Sequence, residues 1–135
     1  MNETFKSFSD QIQSELPDAT PFFSSVFESG STYKPESFYE KFDAYFTELA
    51  VALIDNEFID LFMAERICDT LRGLLESIGD YQEEQQTLIY GAAQYFLETE
   101  DAVSDKSSAE GLEDDLLVVN TMLSCIGRSD LVISR

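Results

Sequence analysis

An all-α fold, a bundle of five to six helices, is the fold class that this sequence predicts. Apolar residues recur at intervals of three and four along most of the chain, which is the spacing of one helix face. No segment alternates apolar and polar residues for long enough to predict a strand. With 135 residues, of which 44% are hydrophobic, the chain is long enough to bury a core. We therefore predict one helical domain over residues 1–135, and its eleven Phe predict a phenylalanine-rich core.

The N-terminal part of the chain predicts two helices. The first has its apolar face on Phe5, Phe8, Ile12 and Leu16. Pro17 ends this helix. The second is expected to have Thr20 as its N-cap and Pro21 as its first residue, and to end at Gly30. Residues 29–35, SGSTYKP, have the composition of a flexible joint.

The middle of the chain predicts two longer helices. One begins at Pro35 and continues to about Asp55, and its broad apolar face makes it the expected centre of the bundle. The other is expected to stop at Gly79. Its polar side is expected to form a solvated stripe, with ion pairs inside the helix, from Glu65, Arg66, Asp69, Arg72 and Glu76.

The C-terminal third predicts two further helices. One runs over residues 81–99, and its small residues Gly91-Ala92-Ala93 would let a neighbouring helix approach closely. The last runs from about Leu112 to Ile126, with Gly127 directly after its end. An acidic loop over residues 99–111 is expected between them.

The charge of the chain limits its possible partners. It has 27 Asp and Glu against eight Lys and Arg, a net charge of −19. Such a charge repels phosphate backbones and anionic lipid, so we expect no direct nucleic-acid binding. It favours a basic protein partner or cations, and it is equally expected of a chain from a salt-adapted source. Because there is no His, the commonest catalytic base is absent, and we expect neither enzymatic activity nor a cofactor.

The cysteines and the N-terminus predict a cytoplasmic location. Cys68 and Cys125 lie at apolar helical positions, where a reduced, structural role is expected. The opening MNETFKSFSD lacks the basic and apolar regions of a signal peptide. The longest apolar run, residues 49–54, is far shorter than the about 20 residues that cross a bilayer. We therefore expect no membrane span.

Carboxylates concentrate between residues 98 and 115, a segment that we call the acidic corner. Oxygen ligands suit Ca²⁺ or Mg²⁺, and the metal-ligand candidates are Asp101, Asp105, Asp114 and Asp115. The EF-hand spacing is absent, and there is no His for a di-metal site of the bundle type. The interpretation that we favour is structural. Residues 113–115 would lie in the first turn of the last helix, where the helix dipole favours anions.

The segment YFLETEDAVSDKSSAEGLEDDLLVVN, residues 95–120, resembles the signature of the YkvA-like bacterial family of small helical domains. In that family a helix leads into an acidic turn, then a Gly, then an acidic pair that opens an apolar helix. The positions that match are Asp101, Val103, Asp105, Gly111, Leu112, Asp114 and Asp115. Ser104 stands where the family has Pro. The resemblance covers the last third of the chain and implies a helical bacterial domain, without a reaction to carry over.

These observations favour a non-enzymatic protein-interaction module. Its acidic surface would bind a basic partner, as inhibitors, immunity proteins and nucleic-acid mimics do, because opposite charge speeds the encounter. The alternative is hard-cation binding, or a carboxylate-based enzyme, at the acidic corner of residues 98–115.

Overall fold

The computed structural model describes residues 3–29, 34–55, 61–99 and 109–133. Within these ranges the chain forms six α-helices and no strands, which confirms the predicted all-α fold. The helices are α1 Glu3–Glu15, α2 Thr20–Ser29, α3 Pro35–Asp55, α4 Leu61–Glu76, α5 Glu83–Thr99 and α6 Ala109–Cys125. Three short 3-10 turns lie at Pro17–Ala19, Ile78–Asp80 and Ser129–Leu131. Searched for a membrane-spanning segment, the described helices contain none of sufficient length and hydropathy.

Helix α5 is the centre of the bundle. It packs against each of the other five helices. Its residues 88–93 are buried without interruption, which is typical of a helix that is surrounded on all sides. The buried Gly91, Ala92 and Ala93 lie in this segment, where small side chains let the neighbouring helices come close. The broad apolar face of α3 predicted that this helix lies at the centre, but α3 leaves one side exposed from Glu36 to Glu48.

Aromatic side chains join the helices, as the phenylalanine-rich composition predicts. The rings of Phe8 in α1 and Phe23 in α2 meet edge to face, with 4.8 Å between their centroids. The rings of Tyr45 in α3 and Phe96 in α5 meet in the same way, also at 4.8 Å. Such pairs add about 0.5–1.5 kcal/mol each beyond the area that they bury. They therefore hold α1 to α2 and α3 to α5.

Two helix ends differ from their predictions. Thr20 has helical backbone angles (φ −57°, ψ −45°), and its hydroxyl has no hydrogen-bond partner. The prediction that Thr20 is the N-cap is therefore wrong, because the turn Pro17–Ala19 runs directly into α2. Gly79 does not stop α4, since α4 already ends at Glu76 and Gly79 lies inside the next 3-10 turn.

The end of α6 agrees with its prediction. Gly127 has a φ of +78°, the left-handed conformation that glycine adopts without steric cost. The Arg128 N–H donates to the Leu123 carbonyl (2.8 Å), and the Gly127 N–H donates to the Ser124 carbonyl (3.3 Å). These two bonds form a Schellman motif. The chain then turns back, and the side chain of Ile133 is buried in the core.

The predicted flexible joint and acidic loop fall largely outside the described residues. Residues 30–33 of the joint and residues 100–108 of the loop are not described. Residues 109–111, which the prediction gave to the loop, form the first turn of α6.

Candidate functional site

Arg72 links α4 to α3 across the surface of the bundle. One of its guanidinium nitrogens, Nη2, donates to Asp43 Oδ1 (3.0 Å) and more weakly to the Tyr39 carbonyl (3.5 Å). The guanidinium lies 5.6 Å from the centroid of the Tyr39 ring. Spacing within the helix predicted that Arg72 pairs inside α4. It pairs with α3 instead, because it lies where the solvated stripe of α4 meets α3.

Five exposed carboxylates surround this link, and we call them the acidic face: Glu36, Glu40, Asp43, Asp69 and Glu76. Those of α3 are four and three residues apart and those of α4 are seven apart, so each set lies on one side of its helix. Among the described side chains, the Asp43–Arg72 bridge is the ion pair that this face forms. The face therefore presents several negative charges around one neutralised pair.

Two tyrosines adjoin the acidic face. Burial is the main reason that the pKa of Tyr39 lies above its ordinary value; the charges of Glu76 and Glu36 raise it further, and Arg72 lowers it. Burial also raises the pKa of Tyr90, with smaller contributions from Glu36 and Tyr39. Both shifts favour the neutral phenol. Tyr39 is half-buried, so part of its neutral ring remains accessible between the carboxylates.

This arrangement suits recognition of basic side chains. A carboxylate binds a guanidinium through two parallel hydrogen bonds, and an aromatic ring attracts a cation over its face. Within the molecule, Arg72 already contacts a carboxylate, through a single hydrogen bond to Asp43, and lies near the ring of Tyr39. This site was not predicted from the sequence, because α3 was interpreted through its broad apolar face alone. The signal that was present is the spacing of Glu36, Glu40 and Asp43 along one side of the helix.

The structure describes the side chain of only one of the four predicted metal-ligand candidates. Asp101 and Asp105 lie outside the described residues, and Asp114 belongs to α6 without a described side chain. Asp115 is buried, with 4% of its surface exposed. Because α6 begins at Ala109, Asp115 lies in its second turn, so the prediction that places it in the first turn is wrong. In the part of the chain that is described, no three acidic or cysteine side chains are grouped to hold a metal ion.

A groove of about 390 Å³ lies between α4 and the C-terminal turn. It is lined by Asp69, Thr70, Gly73, Leu74, Ser77, Arg128 and Leu131. Arg128 is held in place by Asp130, which accepts from Nε and Nη2 at 3.0 Å each, and by the Tyr81 hydroxyl, which accepts from Nη1 at 2.9 Å. These three bonds raise the pKa of Arg128 well above its usual value. The groove borders the acidic face, since Asp69 belongs to both.

No family model matches this chain, and comparisons with curated proteins and with solved structures found no match either. The resemblance to the YkvA-like family stays a prediction. Function is therefore inferred from the geometry of the described surfaces.

Proposed function

We propose that this protein is a non-enzymatic interaction module whose acidic face binds a basic partner, in the manner of an inhibitor, an immunity protein or a nucleic-acid mimic. The observation that carries the proposal is the set of exposed carboxylates around Tyr39 on two packed helices. The proposal includes the cytoplasmic location that the sequence predicts.

Charge and shape support this function together. At physiological ionic strength the screening length is about 8 Å, so carboxylates on neighbouring helix turns act jointly on an approaching cation. Helices α3 and α4 are packed against each other, and the Arg72–Asp43 bridge spans them. The carboxylates are thus presented on a fixed surface, which lowers the entropy cost of binding. Tyrosine at the centre of such a surface is a frequent energetic hot spot.

The test compares two double variants with the same change in net charge. Glu40→Gln/Glu76→Gln removes one carboxylate from the second turn of α3 and one from the last residue of α4. The matched control, Asp10→Asn/Glu15→Gln, removes one from within α1 and one from its last residue. All four side chains are exposed, so both variants are expected to fold. Partners are captured from an extract of the source cells with the unaltered protein, and their affinities are then measured.

The acidic-face variant should weaken binding of the captured basic partner about tenfold or more, which corresponds to about 1.4 kcal/mol. The control should change it by less than about threefold, because overall charge contributes mainly to the rate of encounter. Equal losses in both variants would show that net charge, and not this face, mediates binding. Capture of partners without a basic surface would also contradict the proposal.

A further inference from the structure

We infer that the partner contributes a basic amphipathic helix, which lies along the exposed side of α4 and places one apolar side chain in the groove. This inference rests on the proposed function and specifies the partner's chemistry. It follows from three features of α4: an exposed aromatic residue, an open groove three turns further along, and carboxylates beside both.

Phe62 is the exposed aromatic residue. The residue is 71% exposed, the largest exposure among the big apolar residues that the structure describes. Phe62, Asp69 and Gly73 are seven and four residues apart, so they lie along one side of α4. At 1.5 Å per residue, Phe62 and Gly73 are about 16 Å apart, close to three helical turns. A second helix along α4 can therefore contact Phe62 and the groove at the same time.

The groove can accept an apolar side chain. Leu74 and Leu131 supply apolar walls. Apart from its two chain neighbours and the nearby backbone of α4, no atom lies within 4 Å of the position that a Cβ of Gly73 would occupy, so the entrance is open. The one cation of the lining, Arg128, has its charge balanced by two hydrogen bonds to Asp130. It therefore does not repel a basic partner.

Charge complementarity indicates which helix fits. Along the same side of α4, Glu65, Asp69 and Glu76 are exposed. Of the two arginines on the polar side of this helix, Arg66 is exposed and Arg72 is paired with Asp43 of α3. A helix with apolar residues on one side and Lys or Arg flanking them matches this pattern, and docking of an amphipathic helix in a groove is a common mode of recognition. An acidic or uncharged helix would leave these carboxylates without a counter-charge.

Two synthetic peptides test the inference. One is an amphipathic helix of about 18 residues, about 27 Å long, made of Leu and Lys with Leu along one side. The other has the same composition in a scrambled order without an apolar side, so both carry the same charge. Their affinities are measured by fluorescence anisotropy with the unaltered protein and with Phe62→Ala, Gly73→Leu and Gly73→Ala. Circular dichroism checks that each variant is folded.

The unaltered protein should bind the amphipathic peptide about tenfold or more tightly than the scrambled one. Phe62→Ala and Gly73→Leu should each reduce this preference to below about threefold, while Gly73→Ala should keep it because a methyl group leaves the groove open. Equal binding of the two peptides, or a preference that both variants keep, would overturn the inference. If Glu40→Gln/Glu76→Gln still weakens both peptides in that case, the acidic face stands and only the groove fails.

Discussion

The side-chain amide of Asn120 forms two hydrogen bonds with the backbone of Ile133. Asn120 Nδ2 donates to the Ile133 carbonyl (3.0 Å), and the Ile133 N–H donates to Asn120 Oδ1 (2.9 Å). The side chain of Ile133 is buried in the core. The pair therefore fixes the C-terminal tail against α6, and with it Leu131, which forms one wall of the groove.

Replacing Asn120 with Ala should lower the free energy of unfolding by about 1–3 kcal/mol, because two partly buried backbone groups of Ile133 lose their partners. Asn120→Asp should also destabilise, since a carboxylate accepts from the N–H but cannot donate to the carbonyl. Urea unfolding monitored by circular dichroism measures both. A loss below about 0.5 kcal/mol for Asn120→Ala, the size of an ordinary surface substitution, would show that the tail is held by the burial of Ile133 alone.

Replacing Gly with Ala should change the stability of the protein in opposite directions at two positions. Gly73 is an exposed residue inside α4 with open space around it, so Gly73→Ala should stabilise the protein by about 0.5–1 kcal/mol. Gly127 has a positive φ, so Gly127→Ala should destabilise it by about 1–2 kcal/mol. Thermal unfolding of the two variants side by side gives the comparison. Shifts of the same sign would contradict the backbone conformation at one of the two sites.

Sequence predicts a helix end well where a proline or a glycine marks it. Pro35 and Gly127 mark helix ends in the sequence, and α3 and α6 begin and end there as predicted. Thr20 failed as a signal because a 3-10 turn occupies the preceding residues, and a capping residue needs a non-helical backbone. The burial of Asp115 was missed because α6 begins at Ala109, before the apolar pattern that marks it.

The acidic face was predictable only in part. The negative charge comes directly from composition, and the proposal of a basic partner rests on it. The pairing of Arg72 with Asp43 joins residues 29 positions apart, whereas spacing within a helix indicates neighbours three and four positions apart. The groove combines Gly73 of α4 with Leu131 of the C-terminal turn, and such a combination depends on how the helices pack.

The two cysteines should react with a thiol reagent at different rates. Neither forms a disulfide; Cys68 is buried, and Cys125 is half-buried with its Sγ 3.9 Å from Ser7 Oγ. Burial raises the pKa of Cys125, and the hydrogen bond to Ser7 offsets part of this rise. Cys125 should therefore label faster than Cys68 in the native protein, and more slowly than either thiol after unfolding. The sequence predicts the same reduced, structural role for both thiols, and the structure distinguishes their exposure.

The pKa of Cys125 also predicts a pH dependence. In the Cys68→Ser variant, the labelling rate of native Cys125 should reach half its maximum at higher pH than in urea, because folding favours the neutral thiol. The corresponding stability is present below the unfolded pKa of about 8.5 and is lost as pH rises through the folded pKa, since the unfolded thiol ionises first. Coincident pH profiles for the native and unfolded protein would contradict this environment.

Substitution of Asp115 distinguishes a structural role of the acidic corner from a cation-binding role. The Asp115 carboxylate is buried, so Asp115→Ala should cost about 1–3 kcal/mol of unfolding free energy, as for other buried polar groups that lose their interactions. The exposed control Asp10→Asn should cost less than about 0.5 kcal/mol.

Melting temperatures of the unaltered protein and of Asp115→Ala are then measured with and without millimolar Ca²⁺ or Mg²⁺. We expect both cations to act alike on the unaltered protein and on Asp115→Ala, through screening of the net charge alone. A cation bound only by the native state would stabilise it by mass action. A rise for one cation that Asp115→Ala abolishes would therefore overturn the structural interpretation in favour of a metal site.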